Sequence, residues 1–426
     1  MYSISLIDRL NLGLAYVAGM REDLQLDVGT RYTIVVMVFF VAYIIFEIPS
    51  NMILPKAGAA NWLAFLGASF GSIMIGMGFT KNWATLAVCR ALLGTMEAGF
   101  LPGCTYLITC WYTRFEVGKR LSAFWLMSVV MNGCAAIFAY ALTQLSGTHG
   151  INGWRWIFII EGAITTGVCL VGRLIIIDFP TKAEGFLAPE EKEFMIARIN
   201  NDRGDAEEDK PTLPKILHHL KDWKLYFWAF NLFASMLPAY ALGYFKTIIL
   251  EGMGFSTMLS QLLTAPPYIP GAAVALISGW LSDKYHIRGP MIAIHQLITA
   301  VGMLVTAYGQ SSGARYFGIF LGIGALQYCI PGVLTFQANN IVSNSKRAVA
   351  SATCLIGGGV GGIVAGVVFR SSESPQYPTG IWTTFAVSIV SVALTIIMDV
   401  YFWRANKRAR ASGRPLEGRD GWYYTL

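Results

Sequence analysis

RALLGTMEAGFLPG, residues 90–103, lies in a long apolar run and yet carries an arginine and a glutamate. Arg90, Gly94 and Glu97 are spaced i, i+4, i+7, so they share one face of a helix. Seven residues rise about 10 Å, too far for a comfortable direct pair. Each charge therefore needs its own partner. If this helix lies in a bilayer, an ionisable group costs at least about 2.5 kcal/mol and faces a cavity or a partner. Gly99, Pro102 and Gly103 let the end of the helix bend and pack closely.

Composition agrees with a bilayer setting. Of 426 residues, 55% are hydrophobic and 13% are charged, against about a quarter charged in a soluble domain. A spanning helix needs about 20 apolar residues, so twelve would use most of the hydrophobic positions. The 44 glycines suit close helix packing. All seven cysteines fall in or beside apolar runs without metal spacing, as packing residues do. No cleavable signal peptide is expected, since no small-residue cleavage site follows a basic start.

Apolar runs predict spans at 31–53, 62–79, 84–107, 120–141, 155–178, 225–249, 261–281, 290–309, 315–338, 348–369 and 381–403. The opening MYSISLIDRLNLGLAYVAG is read as a twelfth, first span, with Asp8 and Arg9 in its middle and its cytoplasmic start expected to be missing. Twelve spans put both termini on one side. Lys and Arg sorted by alternate loops divide about 14 to about 6, and the richer set, which includes Lys56, Lys284, Arg347 and the C-terminal tail, is expected in the cytosol. The net charge of +7 is thus a membrane-orientation signal, and no nucleic-acid partner is expected.

Four regions follow: a six-helix bundle over 1–178, a cytosolic linker over 179–224, a second six-helix bundle over 225–403, and a basic cytosolic tail over 404–426. In the linker, APEEKEFMIARI (188–199) predicts a short helix and NNDRGDAEEDK (200–210) a solvated stretch. PKILHHLKDWK (214–224) puts Ile216, Leu217, Leu220 and Trp223 on one face, as an interfacial helix does. The halves repeat a pattern. Pro102-Gly103, Lys119-Arg120 and Ala123 reappear as Pro331-Gly332, Lys346-Arg347 and Ala350, at offsets of 229 and 227 for the first two pairs. Such internal repeats are common in transporters.

These features resemble the major facilitator superfamily. GWLSDKYHIRGP (279–290) is similar to its loop motif between the eighth and ninth helices. PSNMILPKAGAANW (49–62), where the motif should recur, keeps Lys56 and Gly58 but loses the acidic residue and the basic run. LIDRLNLG (6–13), FEIPSN (46–51), RALLGTMEAGFLPG, CWYTRFEVGKR (110–120) and GWRWIFIIEG (153–162) resemble the fungal anion:cation symporter family, which includes allantoate, nicotinate and pantothenate permeases. The resemblance implies an all-α membrane protein: a major facilitator fold with twelve transmembrane helices in two pseudo-symmetric six-helix bundles, the first helix truncated here.

It also implies that the fourth helix lines the central cavity and that Arg9, at the arginine position of the first-helix motif, anchors a carboxylate, which guanidinium holds with two hydrogen bonds. Glu97 is the expected proton carrier, and Asp8 a second coupling group. Asn11 and Arg90 are expected at the cargo, with Tyr240, Tyr244, Gln327 and Tyr328 as neutral hydrogen bonders and aromatics from the second half. Glu47, Asp283, Lys284 and Arg288 are expected to gate. For each of these residues the plainer alternative is a bond or packing contact that only ties helices together. Glu161 is expected to have a structural partner, and Arg173, Asp178, Lys246 and Asp399 to reach the interface from span ends.

The resulting expectation is a proton-coupled symporter of a small organic monocarboxylate, vitamin- or ureide-like. It would work as a monomer by alternating access, with protons and the lipid bilayer as its other partners. The plasma membrane is favoured over the vacuole. No nucleophile–base or metal constellation suggests an enzyme, and no cofactor or metal is expected. Two alternatives stand: an exporter or vacuolar carrier of a secondary metabolite, and a non-transporting nutrient receptor or inactive truncated homologue.

Overall fold

A computed structural model describes residues 2–112, 114–180, 188–203, 213–342, 344–374, 376–413, 415–417 and 422–426. Helices dominate, and no β-strand forms among the described residues. In chain order they are α1 (Tyr2–Ala15), α2 (Arg31–Ala57), α3 (Ala59–Gly78), α4 (Trp83–Glu97), α5 (Phe100–Trp111), α6 (Arg114–Thr143) and α7 (Gly153–Ile175). The middle holds α8 (Pro189–Arg203) and α9 (Leu213–His219). The rest are α10 (Trp223–Gly252), α11 (Thr257–Leu262), α12 (Tyr268–Tyr285), α13 (Arg288–Tyr308), α14 (Ser312–Asn339), α15 (Asn344–Val368) and α16 (Pro378–Ser412).

Ten helices among the described residues are long and apolar enough to cross a bilayer. The apolar run from Trp83 to Ile108 counts as one of them, although it bends where α4 gives way to α5 around Gly99. Local chemistry sets the ends. Asn82 Oδ1 accepts from Thr85 N at 2.8 Å and starts α4; Ser311 Oγ does the same for Ala314 N at 3.1 Å at the start of α14. Each satisfies an amide that the first turn leaves unpaired.

Two expectations need correction. The run at 261–281 is not one helix: α11 ends at Leu262 and α12 starts at Tyr268, with Pro266 and Pro267 in the turn between them. Each proline lacks the amide hydrogen that a continuing helix needs. The interfacial face of 214–224 is also divided. Ile216 and Leu220 pack on a core of Leu225, Ile341, Val349 and Ala350, whereas Leu217 and Trp223 remain exposed. The expected solvated segment 200–210 lies outside the described residues from 204 onward.

The chain forms two compact units. The first comprises Met1–Glu207, Gly243–Pro266 and Arg370–Pro375; the second comprises Glu208–Leu242, Pro267–Phe369 and Gln376–Leu426. In the first, α2 packs on α4, α3 on α7, and α1 on α6 and α7. The last ten residues of α10 and all of α11 belong to this unit. In the second, α13 packs against α14 and α16, and α12 against α14.

The second unit is fastened at one end by its own tail. Asn406 exchanges two hydrogen bonds with the Tyr424 backbone at 2.8 and 2.9 Å, and Asn340 two with Thr425 at 3.1 and 2.8 Å. The Tyr424 ring stacks on Phe402 at 4.2 Å. Glu417 accepts from Lys224, from Lys346 at 3.0 Å and from the Tyr424 hydroxyl at 2.6 Å. Lys346 also pairs with Asp222 at 2.6 Å. Burial works to raise the Glu417 carboxyl, but its hydrogen bonds from Lys224, Tyr424 and Lys346 outweigh burial and pull it down to about 2.

Candidate functional site

The first unit gathers its buried charges between α1, α2, α4 and α7. Arg9 and Glu97 meet across 88 residues of chain. Arg9 Nη2 and Nε donate to the same oxygen, Glu97 Oε1, at 2.7 and 3.1 Å. Ser5, one turn before Arg9 on α1, donates its hydroxyl to that oxygen at 2.7 Å. The guanidinium also sits over Phe39 and Tyr43, 5.2 and 5.1 Å from the ring centroids, where the ring faces attract a cation. Arg9 and Glu97 are 5% and 2% exposed, so water screens the pair little.

Arg90 and Glu97 hold different partners, in keeping with the helical rise between them. Arg90 is fully buried and lies 4.7 Å from the Phe39 ring centroid. Its Nη2 donates to the Tyr244 hydroxyl at 3.3 Å. Its Nε and Nη1 have no hydrogen-bond partner among the described residues. Close backbone approach makes this arrangement possible. A Cβ on Gly94 would fall 2.2 Å from the Phe39 carbonyl oxygen of α2, and one on Gly13 would fall 2.5 Å from that of Tyr244.

Asp8 and Asn11 turn toward α7. Asp8 Oδ2 accepts from the Thr165 hydroxyl at 2.7 Å, and Asn11 Nδ2 donates to Glu161 Oε2. Asn11, expected at the cargo, thus serves Glu161 of α7. Asp8 Oδ1 and Glu161 Oε1 have no hydrogen-bond partner among the described residues. Glu47, expected near a gate or loop, is 2% exposed inside α2, and neither carboxylate oxygen has a hydrogen-bond partner among the described residues. Arg9 is the charge that acts on it.

The remaining expected site residues belong to the second unit. Tyr240 is buried one turn before Tyr244 on α10. Gln327 lies against α12, where a Cβ on Gly271 would meet its Cγ at 3.0 Å. Tyr328 packs its ring 4.7 Å from that of His295. At the turn between α12 and α13, Arg288 Nη2 pairs with Asp283 Oδ1 at 2.6 Å and its amide donates to the Leu426 carbonyl at 2.6 Å. The Lys284 ammonium lies 4.7 Å from the Trp280 ring centroid.

Of the charges expected at span ends, Asp178 caps α3 by accepting from Ala59 N at 2.8 Å, and Arg173 donates to Asn61 at 2.9 Å. Lys246 is a correction: it is buried inside α10. Asp399 is another. It is half-buried against Gly289 at the start of α13, with Oδ1 lacking a hydrogen-bond partner among the described residues. Ser5, Thr165, Phe39 and Tyr43 contact the charged groups but were not foreseen. Their spacing carried a signal: Ser5 and Arg9, Phe39 and Tyr43, and Glu161 and Thr165 are each four residues apart.

Known proteins agree with this architecture. The profile of the Major Facilitator Superfamily matches residues 1–366. The transporter prlL of a fungal species is 33% identical, over 97% of this chain and 85% of its own. The high-affinity nicotinic acid transporter of Saccharomyces cerevisiae is 28% identical, over 96% and 76%. Among solved structures, a bacterial homologue of the human lysosomal transporter Spinster superposes with a TM-score of 0.67 at 16% identity, over 98% of this chain and 97% of its own. The Escherichia coli xylose transporter XylE gives 0.66 at 14% identity, over 95% and 98%. Apolar helices, buried charges and a profile covering most of the sequence lead to one conclusion: the chain belongs to the Major Facilitator Superfamily and is a multi-pass membrane transporter, not an enzyme.

Proposed function

We propose that the chain is a proton-coupled symporter of a small organic monocarboxylate, of the anion:cation symporter type, working as a monomer by alternating access. The observation that carries this reading is the buried Arg9–Glu97 pair. While Glu97 is ionised it occupies the Arg9 guanidinium. A proton on Glu97 removes that charge and frees Arg9 to hold the carboxylate of the cargo with two hydrogen bonds. Proton and anion then raise each other's affinity. Symport needs that sign of coupling; exchange of one for the other needs the opposite sign. Loaded with both, the site gains no net charge, which lowers the cost of closing around it.

Arg90 is a second anion station, since two of its nitrogens have no hydrogen-bond partner among the described residues, and Tyr244 and Phe39 flank it. Asp8, beside Glu161 and Thr165, tunes the proton site. Asn11 holds Glu161 in place. Glu47 adds negative potential at Arg9. Tyr240, Gln327 and Tyr328 are proposed as neutral and aromatic cargo contacts. Asp283, Lys284 and Arg288 form a cytoplasmic gate; an exposed pair such as Asp283–Arg288 is worth about 0–1 kcal/mol and breaks readily during switching. The name of the nicotinic acid transporter supports a monocarboxylate cargo. Residence in the plasma membrane with both termini cytosolic is part of the proposal.

The test is uptake by cells expressing the chain, screened with vitamin-like and ureide carboxylates at outside pH 5 and 7.5. A carried compound accumulates more at pH 5 and stops accumulating when a protonophore is added. Accumulation that ignores both pH and protonophore would overturn the proposal.

A further inference from the structure

α16 runs unbroken for 35 residues, which at 1.5 Å each makes about 52 Å, well beyond a hydrocarbon core of about 30 Å. Its sequence marks where it leaves the membrane. Tyr401 and Trp403 are exposed, and the Trp223 ring lies 5.4 Å from that of Tyr401. Such aromatics sit at headgroup level. Arg404, Lys407, Arg408 and Arg410 follow at once.

At this level a groove of about 1070 Å³ runs along the helix. Ile397, Val400 and Tyr401 line its membrane side, and Arg404 and Arg408 line it one and two turns further on. Leu416 also lines it, next to Glu417, which Lys224 and Lys346 hold. No acidic side chain lines the groove among the described residues. Both arginines are exposed. Arg410 and Lys407, by contrast, turn to Tyr423 and Trp403, 4.8 and 5.4 Å from the ring centroids.

We propose that this groove is a binding site for one anionic phospholipid of the cytoplasmic leaflet. Its phosphate is held between Arg404 and Arg408, and an acyl chain runs along Ile397, Val400 and Tyr401. Two guanidinium groups one turn apart, about 6 Å in rise, can straddle a phosphodiester and bind its oxygens. The apolar stripe below supplies what a free phosphate cannot use.

The test is lipid titration of the full chain purified in detergent, read by native mass spectrometry. Dioleoylphosphatidylserine is compared with dioleoylphosphatidylcholine and with inorganic phosphate. The unaltered chain should bind one phosphatidylserine in preference to the other two. The double substitution Arg404→Gln/Arg408→Gln should weaken that binding about thirtyfold, since it removes both guanidinium groups that hold the phosphate. Lys407→Gln/Arg410→Gln removes the same charge and should weaken it no more than about threefold. Equal losses in the two variants would mean diffuse surface charge and overturn the proposal. So would binding of phosphatidylcholine, or of inorganic phosphate, as tight as that of phosphatidylserine.

Discussion

Arg9 and Glu97 are each costly to bury alone, and their contact lets both stay inside. Glu97→Leu should therefore destabilise the protein by about 3–5 kcal/mol, because it removes the carboxylate that accepts from the buried guanidinium. Adding Arg9→Leu should recover most of that loss. Melting curves of Glu97→Leu, Arg9→Leu and the double variant in detergent measure the coupling; additive losses would contradict the pairing. Arg9, Asp8, Asn11, Arg90 and Glu97 could be picked out in the sequence because charge and amide groups are conspicuous in an apolar run. Their partners could not. Arg9 meets Glu97 across a separation of 88 positions in the chain, and helical spacing says nothing about that contact. Ser5, Thr165, Phe39 and Tyr43 stayed hidden because such residues usually just pack.

At the scale of the element, α4 depends on lying almost backbone-to-backbone with α2. Gly94→Val should destabilise by about 1–3 kcal/mol or more, since its Cβ would enter the Phe39 carbonyl at 2.2 Å. Yield of folded, monodisperse protein checks this, with Gly76→Ala, which meets nothing within 4 Å, as the tolerated control. The tail offers a pH-dependent case. Glu417 has a folded value of about 2, below its ordinary one. Its contribution is thus fully present above about pH 5 and is lost as pH falls toward 2. Glu417→Gln should melt below the unaltered chain at pH 6, and the difference should shrink toward pH 3. A constant difference would show that Glu417 does not stay ionised through this contact.

At the scale of the molecule, long apolar runs fixed the helices well, because a bilayer demands about 20 apolar residues per crossing. The reading failed where that rule is blind. Pro266-Pro267 breaks a run that hydropathy alone joins, and Ile216 and Leu220 face protein where amphipathicity suggested membrane. The partition into compact units was also invisible, since the last turns of α10 continue one apolar stretch yet belong to the first unit. The proposed orientation predicts that a fluorescent antibody against a C-terminal tag labels cells only after permeabilisation.

The central claim is that a proton on Glu97 frees Arg9 for the cargo anion. Glu97→Gln makes that exchange permanent, because glutamine is neutral at every pH. The decisive measurement is transport of the carried monocarboxylate into proteoliposomes containing this variant. The account predicts that exchange of labelled for unlabelled cargo persists and loses its pH dependence, while accumulation driven by an inward proton gradient disappears. Gradient-driven accumulation equal to that of the unaltered chain would contradict it.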